Sequence, residues 1–442
     1  MAENTVIHIG FDDTDSPKGM CTTFLAYKIV NSLQKNNVEF LDFPKLIRFN
    51  PNIPWKTRGN GAVSISIKTK NPTRIKNQIK NFISKYSDVK NGANPALVFY
   101  ENDSIPTEFT HFSNQALWQL VSRNQAKKFA KKKNLEFFYL GNGQGLVGSI
   151  GAIGYIFHDH TLELLSYRKK SKFGTQRVLS SESVRIMQER TSPNTYNSFD
   201  TKKGRVLITP HGPDPVFYGV RGENMSSLIQ ATKILKPAEQ LDGYMIFKSN
   251  QGTNDHLRNE LDFQTMRPYA SGKLTGIVSG VPEIINGGHV IFKIISDNHE
   301  YRCAVYKPTG MTNVASNLIE GDKICVGGGV RKASKNFPQI LNVEFIHVLN
   351  LQKIFVQSNP ICKKCSKKMK SKGRFQGFQC IRCGKKSSKK AIIQVPRNVQ
   401  PHLYIPIISA HRHLTRPMQR MNVLNKNKKF DQTKSWVCVY EK

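Results

Sequence analysis

The chain has 442 residues, with 66 Lys or Arg against 31 Asp or Glu, a formal net charge of +35. An excess of that size is not neutralised internally and calls for a polyanionic partner, nucleic acid before any other. No apolar run of transmembrane length and no signal peptide is found, so a membrane-spanning or secreted protein is excluded and a cytoplasmic one expected, long enough for about three or four domains.

The first predicted element is a strand, Val6-Ile7-His8-Ile9, which runs into Gly10-Phe11-Asp12-Asp13-Thr14-Asp15-Ser16. Asp12, Asp13 and Asp15 put three carboxylates within four positions, and such a set repels itself unless a divalent cation sits among it. Oxygen ligands at a strand end suit Mg²⁺ and a bound nucleotide. A polar turn with a helix cap is the plain alternative, but it requires one aspartate. Lys18, Gly19, Met20, Cys21, Thr22 and Thr23 follow, ahead of a predicted helix at 24–33 whose unpaired N–H groups favour phosphate.

Further strands are predicted at 38–48, 61–69, 95–101, 147–157 and 161–167, with helices at 73–85 and 113–133, an α+β or α/β pattern. The lysines at 127, 128 and 131–133 read as a solvated helix face. Lys56-Thr57-Arg58-Gly59-Asn60-Gly61 and the Pro- and Gly-rich stretch 209–223 are candidate pocket walls. The glycine string 141–148 suits close backbone approach to a phosphate or ring, and tight packing would explain it equally well.

Five β-rich runs follow at 274–279, 290–296, 301–306, 323–329 and 341–348, which predicts a small barrel of the OB type, a fold that commonly binds oligonucleotides. Cys362-x-x-Cys365 and Cys380-x-x-Cys383 then have the spacing of a zinc ribbon, while Cys21, Cys303, Cys325 and Cys438 are scattered. Four thiolates suit a closed structural Zn²⁺ in a reducing compartment. Lysines 363, 364, 367, 368, 370, 372, 385 and 386 with Arg374 and Arg382 make this ribbon a cationic surface. The stretch 404–420 mixes aromatic, imidazole and guanidinium groups, the types that stack on bases and bridge phosphates; Arg412, His413, Arg416, Lys363 and Lys364 are the expected RNA contacts.

In this order, 10–16 with 19–23, 56–61, 141–154, 211–223, the barrel, the ribbon and 409–417, the sequence resembles the archaeal 2-agmatinylcytidine synthetases, which modify the wobble cytidine of isoleucine tRNA with a CAU anticodon. Phe11 stands where an aliphatic residue is more usual and His411 where tryptophan is expected; neither removes a charge. The resemblance implies a multidomain α+β protein. Its parts are a kinase-like catalytic region at 1–195, a ferredoxin-like region with the agmatine pocket at 196–265, an OB-fold at 270–352, a zinc ribbon at 358–390 and a basic tRNA-binding tail at 391–442.

The resemblance also implies ATP, Mg²⁺ and Zn²⁺ as cofactors, with agmatine and the isoleucine tRNA as partners. Asp12, Asp13 and Asp15 would hold Mg²⁺ and orient ATP, with Lys18, Gly19, Thr23 and Arg58 on the nucleotide and Thr22 as a phosphorylated residue. Asp214 and Glu223 are candidates for the agmatine guanidinium. Two other readings of the residues are a noncatalytic RNA-binding protein, which needs only the basic modules, and a metal-dependent phosphatase or nuclease built on Asp13-x-Asp15.

Overall fold

The computed structural model describes residues 4–36, 38–335, 337–426 and 435–440. The chain forms two compact units, one of Met1–Lys273, Gly327–Glu344 and Pro406–Lys442, the other of Leu274–Val326 and Phe345–Ile405. Among the described residues no helix is long and apolar enough to cross a membrane.

The first unit is built on one mixed sheet. Its strands are β1 (Thr5–Asp12), β2 (Glu39–Phe40), β3 (Lys45–Arg48), β4 (Gly61–Thr69), β5 (Ala96–Glu101), β6 (Glu136–Tyr139), β7 (Thr161–Arg168) and β8 (Thr195–Tyr196). A short hairpin of β9 (Phe199–Asp200) and β10 (Arg205–Val206) stands apart, and β11 (Val216–Gly222) and β12 (Leu241–Ser249) complete the series. The spatial order is β6-β5-β1-β4-β3-β12-β7-β11-β8, with β2 beside β4. Among the described residues of this sheet only β3 and β12, which join its two halves, run parallel.

Strand alternation decides what each face of β1 meets. Ile7, Ile9 and Phe11 enter a core shared with α1 (Thr22–Gln34) and α2 (Pro72–Tyr86). The opposite face, from which Asp12 projects, packs on the layer of α3 (Thr107–Trp118), α4 (Arg123–Lys132) and α5 (Leu146–Gly154). In the other half of the sheet, α6 (Ser181–Thr191) and α7 (Met225–Ile234) place Val184, Met187, Leu228 and Ala231 in the first of these cores.

Two expectations change here. The run at 147–157 is helix α5 and not a strand, and its glycines show why. Gly148, Gly151 and Gly154 recur at a helical spacing of three, and a Cβ on each would collide with Asp12, Phe49 and the Phe109 backbone respectively. An apolar run this short looks alike in either state until that spacing is weighed. The helix expected at 113–133 is two, because Ser122 accepts from the Gln125 N–H while the Gln125 side chain reaches back to the Ser122 N–H, starting α4 afresh.

In a second sheet, β13 (Ser271–Ile285), β14 (His289–Ser296), β15 (His299–Val305), β16 (Lys323–Arg331) and β17 (Ile340–Asn350) pair in the order β15-β14-β13-β16-β17. Pairing of β15 with β17 closes the barrel, the connectivity of an OB-fold, and the short α8 (Thr312–Ser316) lies between β15 and β16. Next come β18 (Ile354–Ser358), the three-stranded ribbon sheet of β19 (Lys370–Ser371), β20 (Phe378–Gln379) and β21 (Lys386–Ser387), then β22 (Ala391–Val395), which pairs with β18. β23 (Leu403–Tyr404) extends the barrel sheet at β17. In the first unit again, β24 (Val437–Val439) pairs with β12.

The segment after β23 is fastened to the first unit by buried charge. Arg420 donates through Nε to Glu223 Oε1 (2.5 Å) and through Nη2 to Asp159 Oδ1 (3.0 Å), Arg416 pairs with Asp159 Oδ2 (2.5 Å), and Asn425 Nδ2 donates to Glu223 Oε2 (2.5 Å). Both carboxylates are buried but fully partnered, the condition under which such groups are tolerated inside a protein.

Candidate active site

The acidic residues converge where β1 ends. A small cavity of about 60 Å³ is lined by Asp12, Asp13 and Asp15 together with Trp55, Lys56, Thr57, Asn60, Gln144 and Gly148. Asp13 has φ +55°, a left-handed turn, and its N–H donates to Asp12 Oδ1 (2.7 Å) while Thr57 Oγ1 donates to Asp13 Oδ1 (3.2 Å). Burial and then the neighbouring Asp13 charge hold the Asp12 carboxyl well above its usual range. Burial pushes Asp13 up to about 7, and Asp15 up to about 6 despite Arg58 nearby. Asp15 has Arg58 beside it, but Asp12 and Asp13, crowded and desolvated in this way, make no ion pair among the described residues, and the oxygens of the three are the donor set that a hard divalent cation takes.

The glycines of α5 make this crowding possible. A Cβ on Gly148 would stand 1.9 Å from Asp12 Oδ2 and 3.1 Å from the Ala62 Cβ. Gly148→Ala is therefore expected to displace the Asp12 carboxylate, lowering any turnover that depends on the cluster by more than about tenfold while binding elsewhere on the chain holds. Paired activity and binding titrations check this, and unchanged turnover would refute it.

Asp15 faces a second cavity as well, of about 540 Å³, that also contains Cys21, Thr22, Thr23, Arg58, Glu163, Asp214, Arg221 and His413. The Thr22 hydroxyl donates to Asp15 Oδ1 (3.2 Å) and accepts from Thr14 Oγ1 (3.1 Å). It belongs to the first turn of α1, which no side chain caps, so the amides there lack a side-chain acceptor. Arg58, also at positive φ (+47°), donates to the Met20 and Ser16 carbonyls and stands 3.4 Å from Asp15 and 3.6 Å from Asp214. Lys18 and Gly19 lie on the Ser16 to Gly19 turn outside these cavities, with Lys18 exposed.

Asp214 joins the acidic residues and Glu223 does not. The Asp214 carboxylate is pushed up by burial against the pull of Arg58 and of Arg177 at 3.4 Å. Glu223 is spent on Arg420 and Asn425. The carboxylate that composition did not single out is Glu163 on β7, buried within reach of Arg221 (3.3 Å) and Arg48 (3.9 Å) and bonded by the Gln251 amide. Half-buried Arg48 keeps a buried Nε with no hydrogen-bond partner. Only the charge of Glu163, set between Leu162 and Leu164, marked it in the sequence.

An adjoining cavity of about 470 Å³ shares Arg48, Arg58, His211, Arg221 and His413 and adds Lys56, Arg205, His411 and Arg412, with no carboxylate in its lining. Arg412 is half exposed and pairs with Glu344 (3.0 Å). His413 is held well below its usual range by burial and then by Arg48 and Arg221, and its Nδ1 lies 2.8 Å from both Arg221 Nη2 and Gln251 Oε1. Arg416, paired with Asp159 Oδ2, lies outside the lining of these cavities.

In the second unit, one sulfur from each of Cys362, Cys365, Cys380 and Cys383 lies within 4.8 Å of the others, the set expected for tetrahedral zinc. The Cys380 thiol is drawn down to about 6, first by the Cys383 backbone N–H and then by that of Arg382, which favours the thiolate a metal needs. Lys363 and Lys364 on the first knuckle are exposed.

Comparison with known proteins bears on all of this. Family models described as the TiaS TCKD domain, the TiaS FLD domain and the TiaS C-terminal zinc ribbon domain match residues 8–142, 143–256 and 359–399. The first two meet between 142 and 143, inside the region 1–195 within which the sequence left the boundary to the ferredoxin-like part open. The isoleucine-tRNA 2-agmatinylcytidine synthetase TiaS of Cenarchaeum symbiosum is 47% identical over 99% of this chain and 97% of its own length. That of Thermococcus sibiricus is 38% identical over 93% of this chain and 95% of its own. A crystal structure of apo TiaS superposes with a TM-score of 0.84 at 34% identity, covering 95% of this chain and 98% of that one. A TiaS complex with its isoleucine tRNA, AMPCPP and agmatine does so with 0.81 at 32%, covering 96% and 99%. With its catalytic, barrel and ribbon parts all in place along nearly the whole length, the chain belongs to the TiaS family of isoleucine-tRNA 2-agmatinylcytidine synthetases.

Proposed function

We propose that this protein uses ATP to activate the wobble cytidine of isoleucine tRNA with a CAU anticodon and joins agmatine to it, forming 2-agmatinylcytidine. The observation that carries the reading is the convergence of Asp15, Thr22, Arg58 and Asp214 on one cavity next to the three-aspartate cluster, in a family member that matches 97% of a curated relative's length. A carbonyl oxygen on carbon 2 of cytosine is a poor leaving group. Phosphoryl transfer from ATP converts it into a phosphate ester, and the primary amine of agmatine then attacks carbon 2 and expels phosphate. Catalysis of such a transfer is mostly positioning and charge stabilisation.

Asp12, Asp13 and Asp15 are the residues to hold Mg²⁺, which would neutralise the triphosphate as charge shifts during transfer. Arg58 is placed against Asp15 to do the same for the transferring group, with Lys18 free to reach the outer phosphates and Gly19 and Thr23 flanking the uncapped start of α1. Asp214, inside the region 196–265 expected to form the agmatine pocket, is the guanidinium partner. A planar guanidinium there would exchange with Arg58 or Arg177 for a bidentate carboxylate contact. The carboxylate-free cavity and the exposed ribbon lysines suit RNA phosphate. A cytoplasmic enzyme follows from a cytoplasmic tRNA substrate.

Incubation of the isoleucine tRNA with protein, ATP, Mg²⁺ and agmatine is expected to raise the mass of the wobble nucleotide by the agmatine adduct. An unmodified cytidine from otherwise folded, ATP-binding protein would overturn the assignment. Thr22, bonded to Asp15 at the head of α1, is the expected phosphate acceptor within the protein. Incubation with ATP should label it, and Thr22→Ala should abolish the label; full labelling of that variant, mapped to another peptide, would exclude the role.

A further inference from the structure

The zinc ribbon ends in a feature that neither the fold nor the chemistry above employs. Phe375 is 95% exposed, more than any other large apolar side chain among the described residues. It occupies the tip between β19 and β20, in a turn closed by the Lys372 N–H to the Gly377 carbonyl (3.0 Å) and the Gln376 N–H to the Gly373 carbonyl (3.2 Å). Its φ of +62° is a conformation that a bulky side chain rarely adopts. Such a placement is not explained by packing, because the small ribbon core consists of Cys362, Met369, Phe378 and Cys380 and leaves Phe375 out.

What surrounds the ring says what it meets. Arg374 lies over it, with the guanidinium carbon 5.3 Å from the ring centroid. Twelve lysines and arginines fall between residues 363 and 390, all exposed, and no Asp or Glu occurs anywhere from 345 to 430. A flat apolar face set in a field of unbroken positive charge repels most protein surfaces and suits a polyanion that carries flat rings of its own. Bases inside an A-form helix are already stacked on both sides and unreachable, so the fitting target is an unpaired base. We propose that Phe375 stacks on an unpaired nucleobase of the bound tRNA, adding a base contact to a ribbon whose remaining contacts are to phosphate. This rests on the reading of tRNA as substrate.

Stacking and charge are separable by salt, since losing a stack releases no counterions while losing a lysine does. The full-length, zinc-loaded protein with Phe375→Ala, Phe375→Leu or Phe375→Trp is titrated with the isoleucine tRNA over a range of salt, beside Lys364→Ala. Phe375→Ala and Phe375→Leu are each expected to weaken binding by about tenfold at every salt with an unchanged slope, Phe375→Trp to restore it, and Lys364→Ala to flatten the slope. Zinc content and melting temperature should match wild type in every Phe375 variant, because the ring supports no core. Wild-type affinity in Phe375→Ala overturns the inference. So does rescue by Leu, which would make the contact apolar but not stacked, or a loss confined to binding of anionic lipid vesicles. If wild-type protein itself neither binds nor modifies the tRNA, the functional reading fails first and is recognised separately.

Discussion

Asp13→Asn should cut turnover by at least about 100-fold while tRNA affinity stays within about twofold of wild type. Asparagine has the size of aspartate and tolerates the left-handed backbone at this position, where φ is +55°. It can keep the Thr57 contact through its amide oxygen. What it removes is one charge from the set of Asp12, Asp13 and Asp15, and with it a ligand for the cation that the triphosphate requires. The unsubstituted carboxyl, pushed up to about 7 by burial, already hovers between neutral and charged without a counter-ion, so Asn mimics its protonated form. The residues proposed to contact RNA are others, which is why the two assays should separate. Parallel losses in turnover and tRNA binding would mean that the acidic loop shapes the RNA site and does not serve ATP alone.

Cys380→Ser should release zinc and unfold the ribbon while the catalytic unit keeps its ATP binding. Four side chains, two of them cysteines, make up the buried ribbon core, too little to fold without metal. Loss of order there scatters the exposed cations of 363–390, so tRNA binding weakens, and the slope of log affinity against log salt falls by about 0.7–0.9 for each phosphate no longer neutralised. Metal analysis tests the first half and a salt titration the second. Zinc at wild-type stoichiometry in the variant refutes the ligand set, and an unchanged slope after ribbon deletion refutes its part in RNA binding.

Features written as local spacing were the ones legible in the sequence. The barrel's alternating runs, the paired cysteines and the three aspartates each depend on neighbours a few positions apart, and β13–β17, the four-sulfur set and the small acidic cavity match them. Features decided by remote partners were not. Glu223 and Asp214 are equally acidic residues nine positions apart, but one is claimed by Arg420 and Asn425 and the other faces the cavity with Thr22. Arg416 and Arg412 likewise differ only in what they meet, Asp159 in the interior or Glu344 near the surface. Glu163 and Arg48 escaped notice because both sit in strands whose apolar neighbours announce core, and only their mutual approach across the sheet reveals a polar cavity. In α5 the deciding signal was present but needed a helical count of the glycines.

The segment held by Arg416, Arg420 and Asn425 makes two cavities depend on carboxylates outside them. His411, Arg412 and His413 form part of the cavity walls, while the groups that fasten the following residues, Asp159 and Glu223, line neither cavity. A substitution at Asp159 or Glu223 would therefore reshape both walls without touching a residue that lines them, because each would leave a buried guanidinium without its counter-charge.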